Sequence, residues 1–263
     1  MLVLFESIVL GILIGIIAAI LGIGGGVFLV PMLHMILGLD MHKAVGTSLF
    51  VIFFLSSSAA LSYFRKRLIL WKLALIFECG STIGAFMGAH TSDILPSYWL
   101  KIFFSLVLFY TAFRMWRGAR SKPKLRESQE HNRTSNTPSY NFENLSYVMT
   151  LIGLGFVAGF LSGLLGIGGG VVKVPIMKLI LSIPMHNAIA TSAFMIVLTS
   201  LVGSSSHFIM GNVNYLIGLT LVPSVMLGSH IGTRIAVKLR SSTISRLFAV
   251  LLAFVALRMI LST

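Results

Sequence analysis

Charge, acid and cysteine are what this chain has least of. Charged residues fill only 10% of its 263 positions, against about 25% in an ordinary soluble domain. So few charges cannot clothe a surface that faces water, so lipid is expected to be the main solvent. Acids are the scarcest: seven Asp and Glu stand against 20 Lys and Arg, a net charge of +13. Such an excess can mean nucleic-acid binding, but the positives here sit in short clusters between apolar stretches, as in Arg65-Lys66-Arg67 and the run from Arg114 to Arg126. That distribution belongs to membrane-protein loops and argues against a nucleic-acid partner. The single cysteine, Cys79, rules out an internal disulfide and is expected to be a packing residue. The chain has no HExxH, no GxSxG, no paired carboxylates within an apolar run and no Cys/His cluster. No enzyme activity, metal or cofactor is therefore expected. The first apolar segment, Leu2 to Leu21, has no basic stretch before it and reads as a span, not as a cleaved signal.

What the chain does have is hydrophobic residues, 56% of the total, laid out as two copies of one pattern. At the spacing that carries Gly22 onto Gly166, Gly22-Ile23-Gly24-Gly25-Gly26-Val27 falls on Gly166-Ile167-Gly168-Gly169-Gly170-Val171. The same spacing carries Pro31 onto Pro175, Met41-His42 onto Met185-His186 and Thr47-Ser48 onto Thr191-Ser192. It also carries Gly84 and Gly88 onto Gly228 and Gly232, and Arg114-Met115 onto Arg258-Met259. One gapless spacing over so long a stretch is a duplication.

Each copy reads as five apolar segments, at 2–21, 27–38, 43–64, 72–90 and 97–116, then 147–165, 171–182, 187–210, 214–234 and 243–261. The second segment of each copy is only ~18 Å long as helix, too short for a hydrocarbon core of ~30 Å. It is expected to be a half-helix or re-entrant piece. The fold class is accordingly all-α: a polytopic membrane protein of two homologous, inverted repeats with broken helices and about eight to ten membrane segments. Residues 1–117 form the first repeat, 118–146 a polar linker expected in the cytoplasm, and 147–263 the second repeat.

Inversion is read from loop charge. Arg65, Lys66, Arg67 and Lys72 flank the third-to-fourth loop of copy one, whose counterpart Gly211-Asn212-Val213-Asn214 is uncharged. The fourth-to-fifth loop reverses this, with His90 and Asp93 in copy one and Arg234, Lys238 and Arg240 in copy two. A positive side that swaps between copies requires an odd number of crossings per copy, and puts both chain ends outside the cytoplasm.

The glycine breaks are the candidate site. Gly24, Gly25 and Gly26, and again Gly168, Gly169 and Gly170, interrupt apolar runs just before Pro31 and Pro175. Each glycine weakens a helix by ~1 kcal/mol relative to Ala, so the chain is expected to unwind there and restart as a half-helix. Its first N–H groups and positive dipole end would face an anion, at a depth where loose backbone is tolerated only against protein or a cavity. Lys173 stands three residues after the second triplet, where copy one has Leu29; it either deepens that site or pairs elsewhere. Thr47, Ser48, Thr191 and Ser192 offer hydroxyls to a substrate oxygen or back to their own helix. Glu78, His42 and His186 are candidates for proton coupling, although interfacial positions are the expected reading for all three, Glu78 pairing with the basic loop. Gly84-x-x-x-Gly88 and Gly228-x-x-x-Gly232 read as helix packing. His207 and His230 have no counterparts and no metal-ligand spacing.

The duplicated Gly-x-Gly-Gly-Gly with its proline, followed by Ala44-Val45-Gly46-Thr47-Ser48 and by Ala188-Ile189-Ala190-Thr191-Ser192, resembles the TauE/SafE family of sulfite exporters. The resemblance covers nearly all the chain outside the linker. It implies a multi-pass inner-membrane permease for sulfite, an organosulfonate or a related small sulfur-containing anion, with alternating access between the repeats. Ala190 in place of a second Gly46, the asymmetric Lys173 and the long linker depart from the pattern and leave the substrate open. An anion channel, or a membrane enzyme acting on a lipid or thiol, are the alternatives. Export or uptake, the coupling ion and the oligomeric state are not written in the sequence.

Overall fold

A computed structural model of the chain describes residues 2–120 and 144–261. Every element among the described residues is helical, and the order repeats. Helices α1 (Leu2–Leu21), α2 (Gly26–Pro31), α3 (Met41–Arg65), α4 (Trp71–Ile94) and α5 (Ser97–Arg120) are followed by α6 (Leu145–Leu165), α7 (Gly170–Pro175), α8 (Met185–Ile209), α9 (Tyr215–Ala236) and α10 (Ser241–Leu261). Most of the expected linker, 121–143, lies outside the described residues. Helix nonetheless reaches into both ends of 118–146, through Arg120 and from Leu145. Among the described residues, five helices, α3, α4, α6, α8 and α9, are long and apolar enough to cross a membrane. Their outward side chains, such as Leu75, Ile83 and Phe86 on α4 and Leu216, Leu219 and Leu227 on α9, are large, apolar and exposed. A face of that kind is stable only against lipid, and the protein is a multi-pass membrane protein.

The short second element of each copy forms for a local reason. Pro31 and Pro175 end α2 and α7, and each helix continues as one π-helical turn, Met32–Ile36 and Ile176–Ile180. A proline has no N–H to donate and its ring crowds the carbonyl four residues back. Widening the turn to i→i+5 bonds, as Leu37 N–H to Met32 O (3.2 Å) and Leu181 N–H to Ile176 O (3.1 Å), keeps the rod going. Each half-helix with its π turn is about 16 Å long and cannot cross alone.

The repeats interlock. Helix α4 packs on α6 and α1 packs on α9, which is one pairing with the copies exchanged, while α5 packs on α10 and α3 on α8, each against its own counterpart. Backbones touch in the first pairing. A Cβ on Gly80, Gly84 or Gly88 would lie 2.0, 2.2 or 2.1 Å from the carbonyl oxygens of Ile152, Phe156 or Phe160. Gly155, Gly159 and Gly163 return the contact to Phe77, Ser81 and Ala85 at 2.0, 1.9 and 2.1 Å. Gly228 and Gly232 do the same against Ile12 and Ile16 at 2.1 and 2.4 Å. The Gly-x-x-x-Gly pairs are packing devices, as small residues are in lipid.

Polar contacts also join the loops of the two copies at the two opposite ends of α4. At one end Lys66 Nζ donates to Thr233 O (2.8 Å) and Asn187 Nδ2 to Leu68 O (3.0 Å). At the other, Asn212 Nδ2 donates to Asp93 Oδ1 (2.7 Å) and Asn214 N–H to Thr47 Oγ1 (2.9 Å). The basic loop of copy one thus lies with the basic loop of copy two, and the uncharged loop of copy two with Asp93. Partial burial, and then the Arg234 charge, hold Lys66 below the ordinary lysine value.

Candidate functional site

Both glycine turns are built alike. After α1 and α6 the chain turns at Gly22 (φ 68°) and Gly166 (φ 67°), whose N–H groups bond back to Ala18 O and Ser162 O at 2.9 Å. Gly24 and Gly25 (φ 77° and 87°) and Gly168 and Gly169 (φ 77° and 78°) then hold the left-handed conformation that an L side chain rarely adopts. The carbonyl of Gly25 accepts from Phe28 and Leu29 N–H, and that of Gly169 from Val172 and Lys173 N–H, which starts each half-helix. Among the described residues, the N–H groups of Gly24 to Val27 and of Gly168 to Val171 donate to no protein acceptor. All eight of these residues are buried. Buried amide N–H groups without partners are rare and costly, and at the start of a helix they form a positive end.

The two turns meet. A Cβ on Gly26 would stand 2.3 Å from Gly166 O and 2.6 Å from Ile167 Cα, and one on Gly170 would stand 2.4 Å from Gly22 O and 2.6 Å from Ile23 Cα. Beneath them, Ile52 and Ile196, which correspond between the copies, press on both Gly24 and Gly168, with approaches of 3.0–3.3 Å to their would-be Cβ atoms. The turns are thus held against each other, with two apolar side chains packed on both.

The hydroxyls read as reaching either a substrate oxygen or their own helix make contacts between the copies. Ser48 Oγ donates to its own Val45 O (2.7 Å) or across to Gly166 O (2.9 Å), and Ser192 Oγ donates across to Gly22 O (2.9 Å). Thr47 Oγ1 accepts from Asn214 N–H (2.9 Å) and Thr191 Oγ1 from Leu70 N–H (3.1 Å), each just ahead of the other copy's fourth helix. His42 and His186 sit at the first turns of α3 and α8, and neither bonds to a glycine turn. Pro31 and Pro175 serve the π turns. Cys79, expected to pack inside, is exposed: its neighbours Glu78 and Gly80 take the inward face of α4, and it points away.

Glu78 does not pair at the interface. Its side chain is 3% exposed and accepts a 2.9 Å bond from Lys173 Nζ, itself 0% exposed. The Thr199 hydroxyl contacts both charges, and Ser81 Oγ lies 3.1 Å from Thr199 Oγ1. Lys173 N–H starts the half-helix on Gly169 O, and its Cε lies 3.1 Å from the would-be Cβ of Gly169. The pair therefore lies against the second glycine turn. Sequence reading missed Thr199, Ser81, Ile52 and Ile196. For Lys173 and Glu78 the available signal was their both being rare intramembrane ions.

A separate cleft of about 480 Å³ runs between α5, α6 and α7, with walls that include Tyr110, Leu154, Val157, Leu161 and Pro175. Its nearly all-apolar lining suits an acyl chain better than an anion. No group of three or more metal-ligating side chains forms among the described residues.

The family described as Sulfite exporter TauE/SafE matches residues 7–259. The chain is similar to the probable membrane transporter protein YunE of Bacillus subtilis, 33% identical over 261 residues and 96% of each chain. A probable membrane transporter protein of Xylella fastidiosa is 26% identical over 260 residues, 98% of this chain and 95% of that one. One from Methanocaldococcus jannaschii is 28% identical over 269 residues, 97% and 94% of the two chains. No solved structure matches the chain.

Proposed function

The chain belongs to the Sulfite exporter TauE/SafE family of membrane transporters, and from that premise we propose that it is a secondary permease for a small sulfur-containing anion, such as sulfite or an organosulfonate. The observation that carries this reading is the pair of half-helix starts in mutual contact, with their buried N–H groups unclaimed. An anion between Gly24–Val27 and Gly168–Val171 would give those groups the acceptor they lack. The closed form is then one station of an alternating-access cycle between inverted repeats, 1–117 and 147–263, joined by 118–146. Opening separates the Ile52–Ile196 plug and trades the Ser48 and Ser192 bonds. The exchange of loop partners between the copies supports the inversion. The basic end, with Arg65, Lys66, Arg67, Arg234, Lys238 and Arg240, faces the cytoplasm of a cell inner membrane, and so does the linker.

Flux into proteoliposomes tests this with sulfite, sulfate, thiosulfate, sulfoacetate and taurine. The wild type should carry at least one of the anions. Gly170→Ala, whose Cβ meets Gly22 O at 2.4 Å, should lose more than about tenfold in flux, because a ~1 Å misfit at a binding centre already costs ~10²-fold. Gly153→Ala, which meets nothing within 4 Å, should carry at the wild-type rate. A wild type that carries none of these solutes, or a folded Gly170→Ala at full rate, contradicts the reading.

A further inference from the structure

The pseudo-symmetry supplies its own control for the buried ion pair. Moving each member of the polar cluster to its counterpart in the other copy replaces Lys173 by Leu29, Thr199 by Leu55, Glu78 by Val222 and Ser81 by Val225. All four counterparts are apolar, and Leu29, Leu55 and Val225 are buried. The fold therefore fills this place without charge, beside a glycine turn of the same construction. A buried ion pair brings little net stability over a well-packed apolar set, so folding gives no reason to keep one copy ionic. Intramembrane ions default to transport roles, and this pair stands against the second half-helix start.

The partners of each charge limit what the pair can do. Lys173 Nζ has three hydrogens and two protein partners, Glu78 and Thr199. A negative solute at the Gly168–Val171 N–H groups would be drawn to this ammonium but would meet the Glu78 carboxylate already on it. Like charges sharing one small site cannot both stay ionised. Protonating Glu78 removes the conflict, and the neutral acid can keep a hydrogen bond to Thr199.

Resting on the permease reading above, we propose that Glu78 is a resident counter-ion of Lys173 which the transported anion displaces: the anion takes the Lys173 ammonium, Glu78 takes a proton from the loading side, and proton and anion cross together. Lys173 is the charged group that faces Glu78 from the packed elements. The other titratable side chains of α4 are Lys72, Cys79, His90 and Asp93. Helix α6 contributes Tyr147, α8 contributes His186 and His207, and Lys178 lies five residues beyond Lys173. The hydrogen-bond partners the structure gives the Glu78 carboxylate are Lys173 and Thr199.

The test measures solute uptake and lumenal pH together in proteoliposomes of the full chain, with sulfite, thiosulfate and sulfoacetate as probes and protein-free vesicles as the blank. In the wild type, an acid exterior should drive uptake against the anion gradient, and the lumen should acidify as the anion enters. Glu78→Gln should still pass the anion down its gradient, with uphill uptake and lumenal acidification lost. The double variant Lys173→Leu/Glu78→Val, which gives both ions the residues of their counterparts Leu29 and Val222, should fold and lose at least tenfold in flux. Anion flux in the wild type without proton movement overturns the coupling and leaves the permease reading standing. So does Glu78→Gln with coupling intact, or a double variant that transports normally. A wild type that moves no probe overturns both.

Discussion

Single side chains here do two jobs that sequence spacing alone does not separate. Ser48 and Ser192 recur at matching positions, as a substrate ligand would, yet each hydroxyl closes on a glycine carbonyl of the other copy. Removing either leaves a buried carbonyl without its partner, at a cost of about 1–3 kcal/mol. Ser192→Ala should therefore lower the thermal midpoint in detergent while raising the rate at which a cysteine placed at Ile23 is alkylated. A lowered midpoint with unchanged alkylation would mean that the bond does not hold the turns closed. Spacing gave the repeat of these serines but not their direction. Whether a hydroxyl points along its own helix or across to another depends on which helix lies opposite, and only the packed fold decides that.

At the scale of elements, the duplication, the half-helices and the packing role of Gly-x-x-x-Gly were all legible, because each leaves a local trace: an offset, a short apolar run, a spacing of four. The partner of Glu78 left no such trace. It lies on α7, 95 residues away along the chain, and the pairing exists because α4 packs on α6 and α8 rather than on its own copy's first helix. Hydropathy placed Glu78 by its distance from the basic loop and so put it at the interface. The glycine ladder between α4 and α6 gives a sharp prediction. A Cβ at Gly159 would lie 1.9 Å from Ser81 O, so Gly159→Ala should fail to yield monodisperse protein on size exclusion, while Gly153→Ala elutes as the wild type does. A well-folded Gly159→Ala would mean that these backbones need not touch.

Over the whole molecule, the proposed orientation rests on charge and the proposed mechanism on pseudo-symmetry. Lys66 and Thr233 share one end, Asp93 and Asn212 the other. In a Cys79→Ser background, cysteines introduced at Arg67 and Lys238 should react only with reagent on the cytoplasmic side. Those at Asp93 and Asn212 should react only from outside. Labelling of Arg67→Cys and Lys238→Cys from opposite sides would break the inverted arrangement.

If the proposed permease works as drawn, the bare N–H groups of the two touching glycine turns hold the transported anion. Anomalous diffraction from crystals of the wild-type protein soaked in selenite, a heavier relative of sulfite, tests it most directly. A selenium peak within hydrogen-bond reach of the amides at Gly24–Val27 and Gly168–Val171 is the predicted result. A protein that carries selenite in vesicles but binds it elsewhere, with those amides still bare, would contradict the claim.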